Sequence, residues 1–309
     1  MINRRIFLKS VTVSTSAAFT SRDIFSKTVF ISDIDIACQQ YTWFSYFKRE
    51  NKSWMDNPEK SFKAFRESGL RGYEPSFSNP EEVGELWSSL DTHNIWSKSM
   101  YVNSVLHEPE LVEKNIADIL AIAREAKKLG IEILVTNPTP LKWGGAENKT
   151  DEQLKAQAIA LNLLGKELKS MDIKLAYHNH DVEMRESARE FHHMLTGTDP
   201  DNVHLCLDAH WIYRGSGNSQ VALFDIVELY SERIVELHLR QSKDGIWSEV
   251  FAEGDIDYGR LADILKKKDI NPHLVLEQAV EEGTPQTMST VQALSKSLNH
   301  AKKVFKDFT

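Results

Sequence analysis

Residues 233–240 read Arg-Ile-Val-Glu-Leu-His-Leu-Arg, and the type of fold can be inferred from this segment. Apolar and ionisable side chains alternate in it, as they do in a β-strand whose two faces meet different surroundings. The two faces carry Val235, Leu237 and Leu239 on one side and Glu236, His238 and Arg240 on the other. The apolar face is expected to pack on helices, so the polar face must point inwards. This combination is typical of a strand in the wall of a closed barrel.

The same strand belongs to a series in which a short β-rich run precedes an amphipathic stretch. The predicted strands cover residues 34–41, 71–76, 98–105, 131–137, 173–179, 202–208, 233–240 and 273–279. The predicted helices cover residues 58–68, 80–93, 108–129, 151–171, 186–196, 219–231, 257–268 and 285–306. Eight such units without an internal linker predict one α/β domain over residues 31–309, a (β/α)8 TIM barrel. The alternative is a doubly wound open sheet, but residues 34–46 lack the Gly-rich loop usual after its first strand.

The composition excludes several classes of protein. Of the 309 residues, 41% are hydrophobic and 27% charged, and the net charge is −8. No stretch reaches about 18 apolar residues, so stable membrane insertion is not expected. An acidic chain without a basic run is not expected to bind nucleic acid. The two cysteines, Cys38 and Cys206, fall on strands that are not neighbours, so we expect two free buried thiols.

The first 30 residues are predicted to be a targeting segment rather than part of the fold. Arg4-Arg5 is followed by Phe7-Leu8-Lys9 and an uncharged run, and no acidic residue precedes Asp23. This arrangement resembles a bacterial twin-arginine export signal with a linker up to residue 30. We therefore expect a protein exported to the periplasm. The alternative is a disordered basic terminus.

Ionisable residues follow four consecutive predicted strands. The fifth to eighth strands end in Tyr177-His178-Asn179-His180-Asp181-Val182-Glu183, Leu207-Asp208-Ala209-His210-Trp211, Leu237-His238-Leu239-Arg240-Gln241 and Leu276-Glu277-Gln278. Charged groups inside a barrel cost free energy unless they are paired or bind a metal. We therefore predict one divalent metal ion per chain, held by His178, Asp208, His238 and Glu277. The mixture of imidazole and carboxylate favours Mn, Zn, Co or Fe(II) over Ca.

Several segments also share an order and spacing with a known family. They are Tyr177-His178-Asn179-His180-Asp181, Leu207-Asp208-x-x-Trp211, Leu237-His238-Leu239, Val275-Leu276-Glu277, Gly72-Tyr73-Glu74 and Gly254-Asp255-Ile256-Asp257-Tyr258. Together, across about residues 34–300, they resemble the sugar phosphate isomerase/epimerase superfamily, the xylose isomerase-like TIM barrels. That superfamily includes ketose 3-epimerases, inosose dehydratases, hydroxypyruvate isomerases and lyases of 3-keto-glycosides. It also has an endonuclease branch, which an acidic chain fits poorly.

The resemblance implies a divalent metal bound by residues of the fifth to eighth strands. Asp208, His238 and Glu277 match those positions directly. The fifth-strand position is often Glu in the superfamily and is His178 here. The fourth ligand therefore stays open between His178 and two substitutes, Glu183 and His180. The same departure weakens the transfer of a two-glutamate epimerase mechanism.

The enzymes of this superfamily share one step, the removal of a proton from carbon next to a carbonyl. A metal at that point would stabilise the enediolate charge. The candidate catalytic residues are Glu183, His180 and Glu277. The candidate substrate-binding residues are Glu74, Trp211, His210, Arg240 and Lys243, with Trp43, Trp143 and Trp247 as further flat faces for sugar rings. The alternative for Arg240 and Lys243 is an ion pair with Glu236 or another carboxylate.

These residues leave three classes of function open. The first is a metal-dependent sugar isomerase or epimerase. The second is a lyase or dehydratase of keto-inositols or 3-keto-glycosides on the same metal site. The third is a non-catalytic sugar-binding barrel. Because we find no basic cluster for a phosphate, the expected ligand is an unphosphorylated sugar or keto-glycoside. Barrels of this size often pair, so a homodimer is a further expectation.

Overall fold

The computed structural model describes residues 34–308, in which eight parallel barrel strands alternate with helices. The barrel strands are β1 (Ile36–Gln39), β2 (Gly72–Glu74), β3 (Ser99–Tyr101), β4 (Ile133–Thr136), β5 (Lys174–His178), β6 (Val203–Asp208), β7 (Ile234–Leu239) and β8 (His273–Leu276). The helices are α1 (Gln40–Arg49), α2 (Pro58–Glu67), α3 (Glu81–Thr92), α4 (Pro109–Lys127), α5 (Asp151–Lys169), α6 (Arg185–Thr196), α7 (Ala209–Gly215), α8 (Gln220–Tyr230), α9 (Tyr258–Lys267) and α10 (Thr290–Val304). The predicted TIM barrel is confirmed, and the open-sheet alternative is wrong.

The export signal predicted for residues 1–30 lies outside the described residues and stays a prediction, as does the periplasmic location. Among the helices that the structure describes, none is both long and apolar enough to cross a bilayer.

The barrel closes between β2 and β3. Around the wall the strands follow the order β2-β1-β8-β7-β6-β5-β4-β3, and parallel bridges at Gly72–Trp96 and Ser76–Tyr101 join the two ends of this order. A Cβ atom on Gly72 would lie 2.3 Å from the Trp96 ring. Only glycine therefore lets the two segments approach this closely.

The two faces of the wall are packed differently. Leu205, Leu207 and Leu237 belong to the main apolar core, which includes residues of the helices. A second, smaller apolar cluster comprises Ile133, Val135, Ala176 and Cys206. These residues alternate with the outward-facing ones along β4 to β6, so they lie inside the barrel. Cys38 joins the outer core, and both cysteines are buried and free, as predicted.

Strand β7 departs from strict alternation at one position. Leu205 of β6 pairs with Ile234 but Cys206 pairs with Glu236, so Val235 is an extra residue in β7. Val235 packs against the inner cluster, and its predicted outward position is wrong because this bulge shifts the phase of the strand. Beyond the bulge, Leu237 and Leu239 pack in the outer core as predicted.

The first strand is shorter than predicted, and an unpredicted helix follows it. The strand predicted over residues 34–41 ends at Gln39, whose side chain accepts a hydrogen bond from the Tyr41 amide and caps α1. Residues 40–49 are rich in Tyr, Thr, Trp and Phe, which are residue types that favour strands. The sequence therefore did not indicate a helix here. The short helix α7 and a hairpin of Ser242–Lys243 and Ile246–Trp247 were also not predicted.

The position of Trp43 in helix α1 contradicts its predicted role in sugar binding. Trp43 is fully buried, with its ring centroid 4.9 Å from that of Trp54 and 5.4 Å from that of Phe65. It fills an aromatic core beneath α1, so its assignment as a face for sugar rings is wrong. Buried tryptophans usually pack in this way, against other side chains of the core.

Candidate metal centre

Four side chains converge at the carboxyl ends of neighbouring strands. His178 and Asp208 are the last residues of β5 and β6, His238 lies near the end of β7, and Glu277 follows β8. One ligand-capable atom of each lies within 4.8 Å of the others, and all four side chains are buried. We call these residues the metal cluster. Their role as metal ligands stays a prediction.

The metal cluster contains polar atoms that its own residues do not satisfy. His178 Nε2 lies 3.8 Å from Asp208 Oδ2 and 3.9 Å from Glu277 Oε2, too far for hydrogen bonds. Within residues 34–308, neither ring nitrogen of His178 nor Asp208 Oδ2 has a hydrogen-bond partner. Such buried atoms are costly unless a ligand satisfies them. The donor set of imidazole nitrogens and carboxylate oxygens fits Zn, Mn, Co or Fe(II).

The two carboxylates of the metal cluster have different electrostatic surroundings. Burial raises the pKa of Asp208 to about 7, and the Arg240 guanidinium only partly opposes this. Burial acts in the same direction on Glu277, but Arg240 and His238 outweigh it and hold the pKa of Glu277 well below its usual range. Glu277 is thus compensated by its neighbours. Asp208 needs a further positive charge to stay ionised, which a metal ion would provide.

Two further carboxylates, those of Glu74 and Glu236, lie close to Nε2 of His238. His238 Nε2 lies 3.1 Å from Glu74 Oε2 and 3.2 Å from Glu236 Oε1. Glu74 is itself fixed by Ser99, whose hydroxyl donates to Glu74 Oε1 at 3.0 Å. On the other side of the ring, His238 Nδ1 lies 3.1 Å from Glu277 Oε2, so Nδ1 is the nitrogen that faces the metal cluster. Glu74 thus lies beside His238, and its predicted role in substrate binding stays a prediction.

Glu183 lies beside the metal cluster, outside each of the candidate metal-binding groups found among the described residues. Its two carboxylate oxygens accept from Asn137 Nδ2 at 3.0 Å and from the His180 amide at 2.6 Å. Burial and the neighbouring Glu190 raise the pKa of Glu183 to about 7. These two hydrogen bonds hold Glu183 against the loop that carries His180, and its catalytic role stays a prediction.

The His180 ring packs against a residue of the metal cluster. Its centroid is 4.8 Å from that of His178 and 5.5 Å from that of Trp211. Burial lowers the pKa of His180 to about 4, so its imidazole is neutral at pH 7. Nothing in the described part of the chain hydrogen-bonds to its Nδ1. A neutral imidazole with a free nitrogen is suited to accept a proton.

Arg240 lies under two tryptophans. Its guanidinium pairs with Glu277 Oε2 through Nη2 at 2.8 Å, and its carbon Cζ is 4.2 Å from the Trp247 ring and 5.0 Å from the Trp211 ring. This is the ion pair with another carboxylate that the sequence left open. Nη1 of Arg240 has no hydrogen-bond partner in the range 34–308 and can donate to a ligand.

The remaining predicted substrate residues are divided between the site and the surface. His210 is buried against Trp211, with ring centroids 5.8 Å apart, and both of its ring nitrogens lack partners among residues 34–308. Lys243 lies exposed on the hairpin. Lys243 is not a member of the metal cluster, and its contact with substrate stays a prediction.

Two asparagines of the site were missed. Asn179 Nδ2 donates to the Asp208 carbonyl and its Oδ1 accepts from the Asp208 amide, both at 3.1 Å. Asn137 Nδ2 donates to the His178 carbonyl at 2.9 Å as well as to Glu183. They tie the strand ends together and thus position the ligands. Asn137 directly follows β4, so the strand-end rule used for β5 to β8 could have found it.

Comparison with known proteins finds relatives that are named as enzymes. A sequence model described as xylose isomerase-like TIM barrel matches residues 62–303. The inosose dehydratase of Clostridium beijerinckii is 25% identical over 197 residues, which are 60% of this chain and 64% of that protein. The inosose dehydratase of Mesomycoplasma hyopneumoniae strain 7448 is 23% identical over 271 residues, 80% of this chain and 88% of that protein. The chain thus spans slightly less than two thirds of the first of these relatives.

Solved structures show the same fold. A sugar phosphate isomerase/epimerase from Parabacteroides distasonis aligns with a TM-score of 0.67 and 17% identity, covering 93% of this chain and 98% of that one. The IolI protein, solved with a bound zinc atom, aligns with a TM-score of 0.63 and 15% identity, covering 89% and 99%. At these identities the likeness concerns the fold.

Proposed function

The chain belongs to the xylose isomerase-like TIM barrel family, and from that premise we propose that it is a metal-dependent sugar isomerase or epimerase. It would remove a proton from carbon next to the carbonyl of an unphosphorylated keto sugar. The observation that carries this proposal is the metal cluster. Three of its buried atoms, His178 Nδ1, His178 Nε2 and Asp208 Oδ2, lack hydrogen-bond partners within residues 34–308, and the cluster lies at the carboxyl rim, where TIM barrels place their chemistry.

The metal ion would be held by His178, Asp208, His238 and Glu277. When bound, a divalent ion supplies Lewis-acid polarisation of a substrate oxygen. The chain itself supplies the remaining parts of the site. Arg240 Nη1 is available to donate to a sugar oxygen, and the neighbouring indoles exclude water from it.

Two imidazoles lie near the metal cluster. His180 and His210 both pack against Trp211, with ring centroids 5.5 Å and 5.8 Å from its centroid. Epimerisation needs one group to take the proton from one face of the carbon and another to return it on the other face. His180, whose neutral ring has an Nδ1 free of partners within residues 34–308, would take the proton, whereas burial lowers the pKa of His210 to about 2 and its neutral ring is suited to bind a sugar hydroxyl.

One observation favours a second candidate, elimination by a lyase or dehydratase. His178 ends β5, where the resemblance leads one to expect Glu, and the oxygens of Glu183 are engaged by Asn137 and His180. A site with fewer carboxylate bases suits elimination, which needs one base and an acid for the leaving group. The curated relatives that match the chain are named inosose dehydratases.

The ion pairs formed by Arg240 and Arg214 support an uncharged sugar as the substrate. Arg240 is paired with Glu277, and Arg214 forms a bidentate pair with Glu281 at 2.7 and 2.9 Å. Neither guanidinium carries an uncompensated charge for a phosphate dianion. The absence of a nucleic-acid partner and the homodimer both stay predictions.

The test is solvent exchange in D2O with metal-loaded protein. The substrates are an inosose and a ketohexose, and the readouts are deuterium incorporation by mass spectrometry, product stereochemistry by NMR and ultraviolet absorbance of an unsaturated ketone. Deuterium in an isomerised or epimerised sugar supports the first outcome, and an unsaturated ketone supports elimination. Sugar binding without exchange in either substrate would overturn both and favour a non-catalytic sugar-binding barrel.

A further inference from the structure

The connection between β4 and α5 is long and carries an exposed tryptophan at the mouth of the barrel. Residues 137–150 join the two elements, whereas strand-to-helix connections of this fold class usually have about two to six residues. Trp143 is 55% exposed, but Trp43, Trp54 and Trp247 are each at least nine-tenths buried. Core packing does not account for an indole in this position.

The loop is nonetheless fixed in place. Arg185 Nη1 donates to the Gly145 carbonyl at 2.9 Å, close to the tip. At its base, the buried Lys149 pairs with Glu190 at 2.7 Å and donates to the Pro138 carbonyl at 3.1 Å. An exposed aromatic ring on an anchored loop loses little further conformational entropy when a ligand packs on it.

A series of rings connects this tryptophan with the metal cluster. The Trp143 and His180 centroids are 5.1 Å apart with the rings nearly perpendicular, and the His180 and His178 centroids are 4.8 Å apart. On the opposite side, Trp247 is almost completely buried over Arg240. A ligand whose reacting ring lies at the metal cluster can therefore extend past His180 and over the indole.

We infer that Trp143 is a binding platform for the second group of a glycoside. The substrate would carry a sugar ring or an aromatic group linked to the ring that reacts, and the indole face would pack against that group. The inference rests on the proposed function for the identity of the reacting ring. It adds that the substrate is larger than one sugar.

Binding of unreactive glycosides tests the platform without turnover. Phenyl β-D-glucopyranoside and methyl β-D-glucopyranoside have no free carbonyl, so their dissociation constants can be measured by calorimetry on the full metal-loaded chain. We expect about tenfold tighter binding of the phenyl glycoside. Trp143→Ala should remove this preference, and Leu141→Ala, which truncates another exposed apolar side chain of the same loop, should keep it.

Three results would overturn the platform. They are equal affinities for the two glycosides, no binding of either, and a preference that survives Trp143→Ala. Sedimentation of Trp143→Ala could give a fourth such result. A changed oligomeric state with unchanged glycoside binding would mean that Trp143 forms a contact between protein chains.

Kinetics separate a failure of the platform from a failure of the proposed function. Wild type should turn over the phenyl 3-keto-glucoside with a kcat/KM about tenfold above that of 3-keto-glucose, and Trp143→Ala should make the two equal. Equal turnover in wild type would overturn the platform and leave the proposed function standing. Binding that depends on Trp143 with no turnover of either ketone would support the platform and overturn the proposed function.

Discussion

The two ends of the barrel hold opposite kinds of polar group. At the amino end of the strands, a cavity of about 740 Å³ is bordered by charged side chains, among them Lys98, Glu132, Lys169 and Asp201. Their ion pairs are open to solvent, at 3.6 Å for Lys98 with Glu132 and 3.4 Å for Lys169 with Asp201. At the carboxyl end, the polar side chains of the metal cluster are buried.

The difference shows which end is functional. Exposed ion pairs contribute little and are satisfied by water, so a wide cavity lined by them does not call for a ligand. Buried polar atoms such as Asp208 Oδ2, which finds no partner in residues 34–308, destabilise the fold unless something binds them. A single buried atom without a partner in the described part of the chain occurs at the cavity too, at His273 Nε2, so the grouping of several such atoms marks the site better than the size of the opening. Changes at the two ends should separate activity from stability.

The largest effect is expected at Glu277. Glu277→Gln keeps the shape of the side chain but removes the charge that faces His238 and Arg240, so kcat should fall at least a hundredfold, about the effect of losing one preorganised electrostatic group. Steady-state kinetics on the substrate found by exchange would measure it. The matched control is Glu249→Gln, a buried carboxylate that pairs with Arg49 away from the metal cluster. An equal loss of kcat in both variants would show a general structural effect.

A smaller effect on stability alone is expected towards the amino end. Gly72→Ala would place a methyl group against the Trp96 ring and should lower the free energy of unfolding by about 1–3 kcal/mol, with metal content unchanged. Urea unfolding followed by tryptophan fluorescence would measure this. Gly84→Ala is the control, because a Cβ there meets nothing among the described atoms within 4 Å and helix propensity predicts a slight gain. A neutral Gly72→Ala would show that the closure tolerates a side chain.

The smallest effect is expected at the cavity itself. Lys169 and Asp201 are both more than half exposed, so Lys169→Ala should change the free energy of unfolding by less than about 1 kcal/mol. It should also leave kcat/KM unchanged. A marked loss of activity would mean that the amino-end cavity contributes to function, and the contrast between the two ends would fail.

The members of the metal cluster could be predicted from the sequence because their positions depend on local features, the alternation along each strand and the place where the strand ends. Alternation along a strand places His238 inside, and the parallel barrel brings Asp208 and Glu277 to the same rim. The contact between His238 and Glu74 could not be predicted in this way, because it depends on how closure of the barrel brings side chains of β2 and β7 together in its interior. Val235 was misplaced for a similar reason, since a bulge becomes visible only when two strands are paired.

Helical packing explains the other differences. Trp43 was assigned to the site because an aromatic residue after a strand can face either a ligand or a helix, and the sequence does not distinguish the two. The helix around it was missed because its residue types favour strands, while the cap at Gln39 and burial beneath α1 determine the outcome.

Metal content tests the central claim most directly. Protein purified without chelator would be analysed by elemental mass spectrometry as wild type, Asp208→Asn and Asp201→Asn. Asparagine at 208 can still accept the Trp211 amide that now bonds to Asp208 Oδ1 at 2.9 Å, so α7 should keep its cap. We predict about one transition metal per chain in wild type and Asp201→Asn, and its loss in Asp208→Asn. Metal retained at full occupancy in Asp208→Asn, or found in none of the three, would contradict the account.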